Sequence, residues 1–400
     1  MKKFFKIISL ILTTVCLGVF ISCNDNNEPN EPTTPPENKT SKRTIVIYMI
    51  ATNTLAGNAT SDLNEISVTL QDSVNGTNGC RLLIYKDAYS VNPQLLEYSK
   101  GKNAVDIKVL KEYDNNTSST ELERMQEVFA DVKAAGDADE YGLILWSHAS
   151  GWANDLEARS NIKPLNFGDD DGEQMPIDIL AEAIPADMFN FIYTDACYMA
   201  GIEIAYELKD KIRYFIGSAT EIPADGMDYA KNIPCFFADN LDLSQVCKNT
   251  FTKYNQKNGN SKTCTISLTD CSELNKLAQI CKEIHSISSF SGMISEMQRY
   301  KYSEPYLFYD LGQYMNLFSA TEEKDNERLA SLKKEFNTQM EKVVIYKAAT
   351  PRIFNKLTIN EENYSGLSTY IMGTTSSENV NETYYKTLSW YNDVISDIQN

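Results

Sequence analysis

From residue 44 onward, short apolar runs alternate with longer stretches whose apolar residues recur at helical spacing. Thr44–Ile50 (TIVIYMI) is a β-branched run of the kind buried on both faces of a sheet. A helix is predicted over Asp62–Asp72 and a second strand over Arg81–Tyr85. Leu95–Tyr98 and Val105–Leu110 read as a hairpin around Lys100-Gly101. Ser119–Ala134 is an amphipathic helix opened by a Ser/Thr cluster and closed by Gly136. Then follow a strand over Tyr141–Trp146, a helix over Ile177–Ile184 and a strand over Phe189–Thr194. A helix over Ala200–Lys209 and a strand over Tyr214–Ser218 complete this series. Strands and helices alternating across short loops predict an α/β fold, with a mostly parallel central sheet covered on both faces.

Beyond about residue 240 the pattern becomes more helical: Leu243–Tyr254, Ser272–Ile287 and Asn326–Val343. Two further strands are expected there, at Thr263–Leu268 and Gly366–Met372. The expected organisation is therefore a catalytic region over 44–245 and a C-terminal helical region over 246–400 that completes the fold.

The first 43 residues follow neither pattern. Lys2, Lys3 and Lys6 precede an apolar run, Ile7–Ile21, which is short for a membrane span of about 20 residues. It ends at Phe20-Ile21-Ser22-Cys23, which resembles a lipobox with Phe20 where leucine is usual. Residues 1–22 are thus expected to be a lipoprotein signal, leaving Cys23 as a lipidated N-terminus. An ordinary secretory signal cut nearby is the alternative. Residues 23–43 are polar and Pro-rich, too poor in apolar side chains to offset their ordering entropy, and are expected to be a tether. The expected location is an exported, lipid-anchored position on a bacterial membrane.

The formal net charge is −18, and loss of the three leader lysines takes it to about −21. Such a balance argues against nucleic acid as a partner, because a polyanion is repelled. Seven cysteines lie beyond Cys23: Cys80, Cys197, Cys235, Cys247, Cys264, Cys271 and Cys281. Their number is odd, so at least one thiol stays free, and no CxxC pair or Cys/His metal spacing occurs among them. The run Asp169-Asp170-Asp171-Gly172-Glu173 lacks the full twelve-residue calcium pattern and reads as a solvated loop, with calcium a minor alternative.

Two histidines limit the candidates for proton transfer. His285 falls inside a helical pattern and reads as structural. His148 directly follows the strand YGLILWS, and Cys197 directly follows FNFIYTDA. Parallel strands would bring both to the carboxyl edge of the sheet, where open α/β sheets bind ligands. A thiol beside an imidazole meets the need of a cysteine nucleophile. Taken alone, Cys197 would read as an apolar filler.

Five segments in order sharpen that reading. His148-Ala149-Ser150-Gly151-Trp152 resembles the HGSGW-type motif of clostripain-family peptidases, and Asp195-Ala196-Cys197-Tyr198-Met199 resembles their D-A-C-x-M motif. Glu221-Ile222-Pro223-Ala224-Asp225-Gly226 is similar to the family's E-x-I-P-x-x-G loop. Tyr309-Asp310-Leu311 is similar to its Y-D-L element, and Gly366-Leu367-Ser368-Thr369-Tyr370 to its G-L-S-x-Y segment. The resemblance spans about residues 44–398. It implies a caspase-like three-layer sandwich, related to gingipains and caspases, and cleavage after Arg or Lys by a Cys197/His148 dyad without a cofactor.

It further implies that Asp195 lines the S1 pocket, with Asp225 as a second S1 acid. A turn role for Asp225 in Ala-Asp-Gly stands beside that assignment. The oxyanion hole would use the backbone N–H groups of Ala149 and Cys197. Ala149 replaces the usual glycine, which matters only if that position needs a positive φ. Met227 stands where an aromatic is common. Related peptidases cut themselves between the His and Cys strands. Lys163 there is followed by proline, so self-cleavage is expected between Arg159 and Ser160. The expected partners are peptides or proteins with Arg or Lys at P1. The rival expectation is a catalytically silent lipoprotein that binds peptides or glycans.

Overall fold

Nine strands form the central sheet of the computed structural model, which describes residues 41–153, 166–374 and 380–398. In chain order they are β1 (Ser41–Ala51), β2 (Arg81–Ala88), β3 (Gln94–Ser99), β4 (Asp106–Glu112) and β5 (Ala138–Trp146). Then come β6 (Phe191–Asp195), β7 (Tyr214–Gly217), β8 (Thr265–Asp270) and β9 (Val344–Ala349). The spatial order is β9-β8-β7-β6-β5-β1-β2-β3-β4. The five central strands, from β7 to β2, run parallel. The pairs on either side, β8-β9 and β3-β4, are added antiparallel.

Alternation along β1 shows why the central strands are apolar throughout. Val46, Tyr48 and Ile50 join one core, and Ile45, Ile47 and Met49 the other, all fully buried. The first core packs under α2 (Leu122–Ala134), α3 (Ile177–Ala183), α4 (Ile202–Leu208), α7 (Leu274–Ile287) and α8 (Asn326–Val343). The second packs under α1 (Ala56–Asp72), α5 (Tyr229–Phe236) and α6 (Leu243–Asn255). The result is the expected three-layer α/β sandwich.

Several boundaries differ from expectation. β1 begins at Ser41, inside the segment expected as tether, because Arg43 is buried against the Glu140 carboxylate and donates to the carbonyls of Phe236 (2.8 Å) and Ala238 (3.0 Å). The strand expected at Gly366–Met372 reduces to Ser368–Thr369, paired with Tyr309–Asp310 outside the main sheet. The last main-sheet strand is instead β9, whose half-exposed pattern and Lys347 mask it in the sequence. Residues 265–270 and 344–349 thus extend the same sheet as residues 41–217, and all described residues belong to one compact unit. The leader, Cys23, Arg159 and Ser160 lie outside the described residues. Among the described residues no helix is long and apolar enough to cross a membrane.

Candidate active site

Register places the two candidate catalytic side chains. Trp146 of β5 pairs with Asp195 of β6 in a parallel ladder. His148 and Cys197 each lie two residues further on, so they leave neighbouring strands at the same level of the carboxyl edge. The His148 loop is pinned there: Gly168 N–H donates to His148 O (3.0 Å) and Ser150 N–H to Asn166 O (3.0 Å). Gly151 lies at φ +81°, where a Cβ would meet Phe308 at 2.9 Å and the Tyr198 carbonyl at 3.0 Å, so the glycine of this motif is sterically required.

No hydrogen bond joins His148 to Cys197 in this arrangement. His148 Nε2 lies 2.8 Å from Thr54 Oγ1, a hydroxyl just beyond β1. Cys197 Sγ instead accepts from Ile222 N–H at 3.4 Å and lies 4.0 Å from Ile222 O. Burial pushes the thiol up to about 12; the Ile222 N–H opposes this, and Glu221 and Asp195 add to it. The sulfur is thus covered by Ile222 in a setting that favours the protonated thiol, and the neighbouring Glu221 is itself held by the Tyr302 hydroxyl. Tyr198, next to Cys197, takes φ +58° and donates its N–H to Thr220 O (3.0 Å). Such a conformation in a bulky residue is a strained turn of the kind found at active sites.

The backbone N–H groups of Ala149 and Cys197 make no hydrogen bond with a described residue. Both can point donors at a developing oxyanion. Ala149 is not among the positive-φ residues, so alanine is unstrained where the family has glycine.

Asp195 is 5% exposed. Its two oxygens accept from Met227 N–H at 3.1 and 3.0 Å, and Oδ2 also accepts from Tyr229 OH at 3.0 Å. Burial raises its carboxyl; the Met227 and Tyr229 bonds and Lys253 counteract this, and Glu65 adds to it. The backbone of Gly226 (φ +52°) rests on the carboxylate, and a Cβ there would come within 2.5 Å of Oδ2. Beside it is a cavity of about 20 Å³ lined by Tyr193, Asp195, Ile216, Gly226, Tyr254 and Thr265, room for roughly one water. A cavity of that size does not admit a long side chain as it stands.

Asp225 sits differently. Its carboxylate is exposed and ion-paired with Lys257 (3.0 Å). Lys253 and Tyr254 grip the same loop by its carbonyls: Lys253 Nζ donates to Asp225 O (2.8 Å) and Met227 O (3.0 Å), and Tyr254 OH to Gly226 O (2.5 Å). Met227 is fully buried in the second core. In the acidic run, Asp170 accepts from the Thr52 and Ser118 hydroxyls and from Ser119 N–H, and the run forms a tight hairpin turn. His285 packs edge-on against Phe318, and burial pushes its imidazole down to about 4. All seven described cysteines are free thiols.

The two C-terminal motifs brace the nucleophile turn. Ser368 N–H donates to Ala200 O (2.9 Å), and Asp310 accepts from Ser365 N–H (2.7 Å) and Tyr300 OH (2.5 Å). Glu203 of α4 is fully buried and accepts from Thr369 Oγ1 (3.0 Å) and Tyr370 N–H (2.8 Å), while Oε2 has no hydrogen-bond partner among the described residues. Burial raises this carboxyl to about 7, with those bonds opposing. The folded chain thus prefers the proton. That stability is fully present below the ordinary glutamate range near 4.5 and is lost as pH rises to about 7. Glu203→Gln is expected to stabilise the protein at pH 8 by up to about 3 kcal/mol and to change little at pH 4. Thermal unfolding of both proteins at the two pH values checks this; equal shifts at both would contradict it.

A caspase-like sheet with a histidine and a cysteine on neighbouring strand ends is the frame of a cysteine peptidase. The sequence matches the clostripain family over residues 47–398, and the chain belongs to that family. Its structure is similar to that of an inactive zymogen C11 protease from Parabacteroides distasonis, at 30% identity and a TM-score of 0.74, covering 89% of this chain and 98% of that one. It is also similar to a secreted C11 cysteine protease from Bacteroides thetaiotaomicron in complex with an irreversible peptide inhibitor. There the identity is 27% and the TM-score 0.74, with 89% and 99% of the two chains covered. No curated protein matches the chain.

Proposed function

We propose that this cysteine peptidase cuts peptides on the carboxyl side of Arg or Lys, with Cys197 as nucleophile and His148 as acid/base partner. One observation carries the reading most: the β5–β6 register sets His148 and Cys197 at one level of the carboxyl edge, with the buried Asp195 two residues before the thiol. Displacement of Ile222 frees the sulfur, and rotation of His148 away from Thr54 brings the imidazole to it. The imidazole takes the thiol proton; the resulting thiolate attacks the scissile carbonyl carbon, and the N–H groups of Ala149 and Cys197 hold the oxyanion. Collapse breaks the C–N bond, and the imidazolium gives its proton to the leaving amine. Water, deprotonated by His148, cleaves the thioester and regenerates the thiol. Asp195 supplies the carboxylate that a desolvated P1 cation needs.

Two fluorogenic peptides, identical except for Arg or its neutral isostere citrulline at P1, test this. Only the Arg peptide should be cut. A silent peptide- or glycan-binding lipoprotein would leave both intact.

The reading places the enzyme outside the cytoplasm on a lipid anchor at Cys23. The lipobox-like Ser22-Cys23 supports this, as does the secreted relative. Cys23→Ser is expected to move the protein from the membrane fraction to the soluble fraction. An unmodified N-terminus on the native protein, found by mass spectrometry, would overturn the anchor. Self-processing, where it occurs, falls between Arg159 and Ser160.

A further inference from the structure

Asp62 is a carboxyl in an apolar place. The core-facing stripe of α1 is Ala59, Asp62, Leu63, Ile66 and Leu70, so Asp62 occupies a position whose neighbours are hydrophobic. It is 3% exposed. Its Oδ2 accepts from Trp146 Nε1 at 2.9 Å, and Trp146 is the residue paired with Asp195 across β5 and β6. Tyr229, which donates to Asp195, belongs to α5, the helix packed on α1.

Two buried carboxyls therefore stand in one patch of core beneath the closed 221–227 segment. Among the described residues, neither has a lysine or arginine within ion-pair distance. Lys253 is the cation that acts on both, but its ammonium is engaged by the carbonyls of Asp225 and Met227. The other charged group acting on both is Glu65 of α1, whose carboxylate accepts from Ala230 N–H and adds further negative potential. Buried carboxylates require a counter-charge, and one that lacks it stays protonated. Burial first, and Asp195 second, push Asp62 up to about 8, with the Trp146 bond opposing.

We propose that Asp62 is a second acidic determinant of P1 recognition: with Asp195 it forms a two-carboxyl receptor whose missing counter-ion is the guanidinium or ammonium of the substrate. Asp62 is a positioning residue, since it reaches the substrate only through Trp146 and Asp195. The inference rests on the basic-P1 reading above. In the empty enzyme Asp62 holds a proton beside the Asp195 carboxylate. When a P1 cation enters, a proton leaves to solvent and the carboxylate left behind balances the cation. Recognition of a basic side chain is thereby coupled to proton release, and a neutral side chain gains nothing from it. Affinity for the basic side chain should rise with pH up to about 8, as protons are already lost from the free enzyme.

Calorimetry on the full chain carrying Cys197→Ala separates the possibilities. The probe is a blocked peptide amide with Arg at P1, titrated at pH 7 in two buffers of different ionisation heat, with the citrulline peptide as control. The expected release is about half a proton or more per Arg peptide bound, with Kd falling severalfold between pH 6.5 and 8. The citrulline peptide should release none. Asp62→Asn, which keeps an acceptor for Trp146, should remove most of the release and flatten the pH dependence. Equal release and slope with and without Asp62→Asn would overturn the role of Asp62 while leaving Asp195 as the P1 acid. No discrimination between Arg and citrulline peptides would overturn both readings. Should Asp62→Asn fail to fold, release below about a tenth of a proton from the Asp62-containing protein is itself sufficient to overturn the proposal.

Discussion

Cys197→Ala should reduce hydrolysis of an Arg peptide by at least about a thousandfold, because the acyl-enzyme route needs a sulfur and no other side chain at this edge replaces it. The other described cysteines do not offer a substitute. Cys80, Cys247, Cys264, Cys271 and Cys281 are buried in the cores, and Cys235 lies against Asn249 at the end of α5. The fold should survive, since among the described residues the hydrogen bonds of Sγ are the weak contacts to Ile222 and the change removes one atom from a partly buried site. The midpoint of thermal unfolding should move by no more than a few degrees. The same variant should remain a single chain under conditions in which the proposed self-processing nicks wild type between Arg159 and Ser160. Full activity in the alanine variant would remove Cys197 from the mechanism.

Asp195→Asn should have the second largest effect. The substitution keeps the size of the side chain and one acceptor for Met227 N–H and Tyr229 OH. It removes the negative charge a desolvated P1 cation would meet, and losing one partner of a buried charge pair costs roughly 3–5 kcal/mol. The loss in kcat/KM for the Arg peptide is therefore expected to be about a hundredfold or more. Most of it should appear in KM, because the thiol and imidazole are untouched. The ratio of Arg to citrulline cleavage should collapse in parallel. An unchanged ratio would place the P1 acid elsewhere. Asp225 would be next to test, released from Lys257 by Lys257→Ala.

Much of the catalytic edge was legible because the strands that carry it are uninterrupted apolar runs. YGLILW and FNFIYT announce buried parallel strands, and the first polar residues after them fall at the edge where such sheets bind ligands. Asp195 was legible only through its motif; its burial and its two donors depend on the 227–229 turn, over thirty residues away. Thr54, Ile222 and Tyr302 were illegible as site residues. Thr54 meets His148 across 94 residues of chain, and Tyr302 meets Glu221 across 81, and neither pairing leaves a local pattern. The apolar run ending at Met372 was misleading. Its residues brace the nucleophile turn and pack around Trp152, so only two of them enter a ladder. Asp62 was legible in principle, as an acid at core spacing between Ala59 and Ile66, and such an anomaly on an amphipathic helix marks a side chain with another task.

The geometry also bears on how such a peptidase would avoid indiscriminate cleavage. One short segment, 221–227, covers both the thiol and the proposed P1 carboxyl: Ile222 sits on Cys197, and Gly226 on Asp195. Burial raises the partly covered thiol, which favours its protonated, less nucleophilic form. Both functions are uncovered by the same displacement.

The most direct test is covalent labelling. Wild-type protein treated with a peptidyl acyloxymethyl ketone bearing Arg at P1 is digested and the adduct located by mass spectrometry. A single thioether on Cys197, absent with the citrulline ketone, is the predicted result. No adduct, an adduct on another cysteine, or equal labelling by the citrulline ketone would contradict it.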